Sequence, residues 1–212
     1  MSATIARPNP AAKPTAKPAP VPVETRMTAD EFATWVERPE NVDRHFELEH
    51  GKVVEMPPPK RQHGYVCNNA AWILTNHARS CGVGIVCTND SGVIVERSPD
   101  TVRGPDVAYY DDVTDSADVL AEYASVPPVV AVEVLSPEDR VNKVAEKVDE
   151  YLAFGVKQVW VVDPEEKDVA VHRPGQSMTL LEGDAELTGG DELPGFSCRV
   201  SDFFRLPGQK AT

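Results

Sequence analysis

A mixed α/β domain, with a curved central sheet flanked by helices, is the fold that this sequence predicts. Three observations predict it. Residues 129–135 (VVAVEVL) and 158–163 (QVWVVD) are nearly continuous apolar runs, as expected of strands covered on both faces. Between them, Val144, Val148 and Leu152 recur at helical spacing within residues 138–154, and Gly155 follows as a stop. A strand, helix, strand order of this kind implies a parallel crossover. Residues 168–204 read instead as short antiparallel strands with Gly-rich turns, so the sheet is mixed.

The other elements follow in order. Residues 1–25 repeat Ala, Pro and Lys without an apolar period and are expected to form a disordered tail, leaving one domain over 26–207. Thr28 and Glu31 have the spacing of a capping box, and Phe32, Trp35 and Val36 give the helix that follows one apolar side. Residues 46–56 alternate apolar and acidic positions around Gly51, the pattern of a hairpin, and Pro57 to Pro59 end it. Residues 62–80 place Val66, Ala70, Ile73, Leu74 and Ala78 at helical spacing, with Gly82 as the stop. Short strands are expected at 85–88, 92–96 and 105–110, an acidic loop at 111–124, and a brief closing helix near 201–204. Trp35, Trp72 and Trp160 are expected in the core.

Composition narrows the function. The tail lacks the apolar run of ~7–15 residues of a secretory signal, and no stretch approaches the ~20 apolar residues of a membrane span. Cys67, Cys81, Cys87 and Cys198 form no Cys-x-x-Cys pair and have no zinc-finger spacing. They read as buried, reduced thiols of a cytoplasmic protein. The net charge is −13, and residues 27–212 carry 17 basic against 33 acidic side chains, a balance of −16. A protein that holds duplex DNA by charge alone usually shows a basic patch, so any attraction to nucleic acid must be local here.

Two acids stand out because each lies inside or beside an apolar strand. Asp106 follows Gly104-Pro105 at a strand start, and Glu133 is in the middle of the 129–135 run. Burying even a neutral polar group unbonded costs roughly 2–7 kcal/mol, so such carboxylates require partners. On the helix of residues 138–154, Lys147 lies about 60° from Val144 and 100° from Val148, at the border of the apolar stripe. Its stem can lie along the sheet with the ammonium at the Glu133 strand, while Tyr151 falls near the stripe itself. With their strands adjacent, Asp106 and Glu133 can converge on one Mg²⁺ or Mn²⁺, a hard cation that takes oxygen ligands.

Taken singly, each residue also has an ordinary role. Asp106 can belong to a turn, and Glu133 can pair with Arg140. Lys147 can be a solvated helix lysine near Glu150 or Tyr151. Glu47 alternates with Phe46 and Leu48, which by default turns it toward solvent. His63, beside Lys60 and Arg61, can cap a helix or meet a phosphate.

Together with their flanking sequence, these residues resemble the PD-(D/E)-x-K nuclease superfamily, and more closely its Uma-two branch of restriction-like endonucleases. The likeness runs through residues 27–32, 46–51 and 55–57, then His63, Pro105-Asp106-Val107, residues 132–137, Glu146-Lys147, Tyr151, Gly155, residues 159–164 and residues 193–196. The resemblance implies a restriction endonuclease-like fold, Asp106 and Glu133 as metal ligands, and Lys147 as the catalytic lysine. The superfamily's usual lysine position, two residues after the glutamate, is Leu135 here, and Lys147 stands where the branch relocates the amine. Glu47 matches an additional acid able to reach the metal, and Lys143 stands where relatives are expected to carry an acid. The implied activity is Mg²⁺- or Mn²⁺-dependent hydrolysis of DNA phosphodiesters by a homodimer. A nuclease-like domain kept as a binding or regulatory module, and a nuclease acting on RNA, are the alternatives.

Overall fold

The computed structural model describes residues 26–116, 119, 122–137 and 141–209. The expected tail, the start of the helix at residue 138, and Arg140 as a partner for Glu133 lie outside the described residues. The chain begins with α1 (Ala29–Val36), then the hairpin β1 (His45–Glu49) and β2 (Lys52–Met56), and α2 (Arg61–Cys81). Four strands follow: β3 (Ile85–Thr88), β4 (Val93–Glu96), β5 (Thr101–Arg103) and β6 (Val107–Tyr110). The crossover unit is β7 (Val130–Val134), α3 (Val141–Phe154) and β8 (Gln158–Asp163). Last come β9 (Asp168–His172), β10 (Thr179–Glu182), β11 (Glu186–Thr188), β12 (Ser197–Arg199) and a 3-10 turn over Val200–Phe203.

The strands form a six-stranded sheet in the order β10-β9-β8-β7-β6-β3, a four-stranded sheet in the order β2-β1-β5-β4, and the pair β11-β12. Only β7 and β8 run parallel in the large sheet, which is the expected crossover. Central placement explains why all five β7 residues are buried.

Helix boundaries follow their caps. At α1 the Glu31 N–H donates to Thr28 Oγ1 (3.2 Å) and the Thr28 N–H to Glu31 Oε2 (2.8 Å), so the capping box forms. Gly82 ends α2 with φ of +70°, a left-handed turn that glycine adopts without steric cost.

The layers explain the burial pattern. One face of the large sheet, with Val130, Val132 and Trp160, packs on α2 and on Phe196 and Phe203. The other, with Ala131, Val159 and Val161, packs on Val148 and Tyr151 of α3, which also meets Val93 and Val95 of β4. α3 therefore lies between the two sheets, and α1 covers the far side of the small one through Phe32, Leu48, Ile94 and Val102. Among the described residues no helix is long and apolar enough to cross a membrane.

Three expectations are corrected. Trp72 is 63% exposed, because it lies on α2 roughly opposite the stripe of Val66, Ala70, Ile73, Leu74 and Ala78. Trp35 is only partly buried, edge-on to Phe46 with centroids 4.8 Å apart, whereas Trp160 is fully buried. Cys81, at the last turn of α2, is exposed, and Cys67, Cys87 and Cys198 are partly buried. All four are free thiols.

Trp160 anchors the layer beneath β7, with its indole N–H donating to Gln158 Oε1 at 3.0 Å. Trp160→Ala should destabilise the protein by about 3–5 kcal/mol, measured as a lowered urea midpoint. A loss below about 1 kcal/mol would show that the layer repacks around the gap.

Candidate active site

The strand register brings the two acids together. β6 pairs antiparallel with β7, Val107 opposite Val132, so one further residue sets Asp106 across from Glu133. Asp106 sits at the bend before β6, and the Val134 N–H donates to its Oδ2 at 2.6 Å. Strand alternation turns Glu133 toward the face shared with Ala131, which is the α3 side. There Lys147 and Tyr151, one helical turn apart, both reach it. The Tyr151 hydroxyl donates to Oε1 (2.7 Å) and the Lys147 ammonium to Oε2 (3.2 Å).

Lys147 extends the network to the small sheet, with Nζ 2.8 Å from Glu47 Oε1. Arg103 of β5 holds the other Glu47 oxygen at 2.9 Å, Glu49 at 2.9 Å, and Glu150 with two bonds of 2.6 and 3.0 Å. The Gly104 N–H also donates to Glu47, at 3.2 Å. Carboxylates and cations thus alternate from Glu150 through Arg103, Glu47 and Lys147 to Glu133.

This overturns the default orientation of Glu47. It is buried, because on that side of β1 it meets Arg103 of β5 and Lys147 of α3 rather than water. Lys147 likewise is no solvated surface lysine; its side chain is 15% exposed and lies between two carboxylates. Lys143 pairs with Glu49 at 3.0 Å on the exposed side of the network. Arg103, 1% exposed, was not among the expected site residues. Its strand has only three residues, and the signal for it was indirect: Glu47, Glu49 and Glu150 needed a shared cation.

His63 stands in the first turn of α2, whose N-cap is Lys60, and its Nε2 lies 3.2 Å from Asp106 Oδ1. With Glu47, Asp106, Glu133 and Lys147 it lines an open cleft of about 540 Å³, whose rim includes Arg44, His45, Lys60 and Pro57 to Pro59. Tyr151, fully buried, supports Glu133 from beneath. Five of the six expected residues thus line one cleft, and the sixth, Tyr151, bonds Glu133 from behind it.

Burial raises the Glu133 carboxyl above its ordinary range; Lys147 opposes this, and the charges of Asp106 and Glu47 add to it. For Lys147 burial acts the other way, but Glu133 and Glu47 outweigh it and raise the ammonium above its usual value, so it stays protonated. Burial, then Glu133, raises Tyr151 well above its usual value and keeps it a hydroxyl donor. Burial, then Asp106, raises Asp90 at the cleft wall. The like-charge pressure of Asp106 on Glu133 is what a divalent cation would relieve, and carboxylate oxygens are the donors a hard cation takes. The residues therefore fit Mg²⁺ or Mn²⁺ between Asp106 and Glu133.

Two predictions follow from the charge chain. Arg103→Met removes the cation shared by Glu47, Glu49 and Glu150 and should cost about 3–5 kcal/mol in urea unfolding; an unchanged midpoint would contradict its bridging role. The second concerns pH. Because the folded-state value of Glu133 is raised, its contribution to the ion-free fold is full below the ordinary value of 4.5 and declines as pH rises above it. Unfolding free energies of wild type minus Glu133→Gln should fall across that window, and a difference that rises with pH would reverse the assignment.

None of the curated proteins matches the chain. A crystal structure of a putative nuclease belonging to DUF820, from Anabaena variabilis, superposes with a TM-score of 0.71 at 20% identity, covering 84% of this chain and 97% of that one. At this identity the likeness establishes the fold. Residues 29–201 match the Uma2 family, described as putative restriction endonuclease. With that match spanning every element that builds the cleft, the chain belongs to the Uma2 family of putative restriction endonucleases.

Proposed function

We propose that this protein is a Mg²⁺- or Mn²⁺-dependent endonuclease that hydrolyses DNA phosphodiester bonds, with Asp106 and Glu133 as metal ligands and Lys147 as the catalytic amine. The observation that carries this reading is the meeting of those three side chains at one open cleft, each only slightly exposed. Held there, a divalent ion would supply an acidified water and neutralise phosphate charge. The chain's own residues do the rest. The Val134 N–H fixes Asp106 through Oδ2, leaving Oδ1 on the side of His63. Tyr151 fixes Glu133 through Oε1. Lys147 keeps its proton, so its role is electrostatic, placing positive charge against the phosphate rather than removing a proton from water. Glu47 holds Lys147 in place from the opposite side.

The cleft rim supports a polyanionic substrate. Arg44 (paired with Glu55), His45 (beside Asp90) and Lys60 border it although residues 27–212 balance at −16. Attraction is then local to the cleft, which suits a substrate that is cut and released better than one that is stored. Cutting both strands of a duplex requires two such sites, so the proposal includes a homodimer. The acidic balance is also what favours a nuclease-like binding module as the rival reading.

Supercoiled plasmid with Mg²⁺ or Mn²⁺ separates them. Wild-type protein should nick it only with metal, and Asp106→Ala, Glu133→Ala and Lys147→Ala should each lower the rate at least ~10²-fold. Wild-type protein that never nicks, or nicking that survives all three substitutions, would overturn the assignment.

A further inference from the structure

Asp106 also belongs to a second cluster of a different chemical kind. His63 and Cys67 lie one helical turn apart on α2, and Cys67 Sγ is 3.3 Å from His63 Nδ1. His63 Nε2 is 3.2 Å from Asp106 Oδ1. One ligand atom from each of the three residues lies within 4.8 Å of the others. Tetrahedral zinc, with bonds of about 2.0–2.3 Å, spaces its nitrogen, oxygen and sulfur ligands by roughly 3.3–3.8 Å. Cys67 and Asp106 now meet opposite nitrogens of the His63 ring, so the ring must turn until one nitrogen faces both before the three donors take that spacing. The same His-x-x-x-Cys step recurs on α2 at His77 and Cys81, 3.9 Å apart, but among the described residues no third ligand joins it.

The donors select the ion. Mg²⁺ takes oxygen, whereas imidazole nitrogen and thiolate sulfur favour a borderline-soft transition ion. We propose that His63, Cys67 and Asp106 form a binding site for a divalent transition ion of the zinc class, with its fourth position open to the cleft. His63 and Asp106 line that cleft, and Cys67 closes the site from the helix side. A zinc-class ion takes sulfur as the thiolate, so an entering ion releases the Cys67 proton to solvent. The site shares Asp106 with the hard-cation centre proposed above but does not rest on it. The two ions compete for one carboxylate, so a zinc-class ion withdraws Asp106 from any magnesium bound beside Glu133.

Cobalt(II) is the probe, because thiolate ligation gives a near-ultraviolet charge-transfer band and tetrahedral geometry gives intense visible bands. Titration of the full-length, metal-free protein should develop both and saturate at one equivalent. Cys67→Ser and Cys67→Ala should abolish the charge-transfer band, and His63→Ala should weaken binding by at least the ~10–100-fold that loss of an outer-shell partner costs. Cys81→Ser and Glu133→Gln should retain the band. Circular dichroism identifies folded variants, and the proposal stands if either Cys67 variant folds and loses the band. It is overturned by cobalt spectra without a thiolate band. It is equally overturned by a band that survives both Cys67 substitutions or disappears in Cys81→Ser. These spectra are read without substrate, so they succeed or fail independently of plasmid cleavage.

Discussion

The burial of Glu133 in the fourth strand of a six-stranded sheet is the constraint on which the rest of the site depends. A carboxylate taken out of water costs several kcal/mol unless it is paired and fully hydrogen-bonded. Tyr151 and Lys147 meet that demand from one helix, and Lys147 in turn needs Glu47, which needs Arg103. Each partner answers the desolvation of the one before it, ending at the forked Arg103–Glu150 pair. Such a network adds little net stability over well-packed apolar residues of similar size. What it supplies is position: four elements far apart in sequence are locked with their polar ends toward one cleft.

The layered fold makes that possible. α3 lies between the two sheets, so its stripe is apolar where it crosses the strands and charged where it passes the cleft. Lys147 and Tyr151 mark the boundary between those zones. Asp106 is held by β7 itself, through the Val134 N–H, so the two acids cannot drift apart without breaking that bond beside the β6–β7 pairing. Asp106 is also the residue on which two different donor sets converge, an oxygen-rich one with Glu133 and a nitrogen and sulfur one with His63 and Cys67. A single carboxylate could therefore answer to ions of different hardness.

Much of this was legible in the sequence, and the reasons are specific. The apolar run around Glu133 and the 3.6-residue stripe ending at Gly155 dictated the crossover, and angular spacing alone put Lys147 at the border facing Glu133. Periodicity reports one face of an element at a time, and this is where it stopped. Glu47 alternates with Leu48 as a solvent-facing acid would, yet it pairs with Arg103 of β5 and Lys147 of α3, both far away in the sequence. Trp72 shows the converse, a large apolar residue left outside because the core stripe of α2 lies on the other side. Arg103 was missed because its three-residue strand carries no period, and its importance lies wholly in long-range partners. The Cys67–His63–Asp106 juxtaposition needed coordinates too, since an i, i+4 step indicates nothing about which distant carboxylate lies above it.

Crystals soaked in Mn²⁺ and measured at the manganese absorption edge test the central claim most directly. The account predicts an anomalous peak within about 2.0–2.6 Å of carboxylate oxygens from both Asp106 and Glu133. A fully soaked crystal with no manganese at those two carboxylates, its ions bound elsewhere, would contradict it.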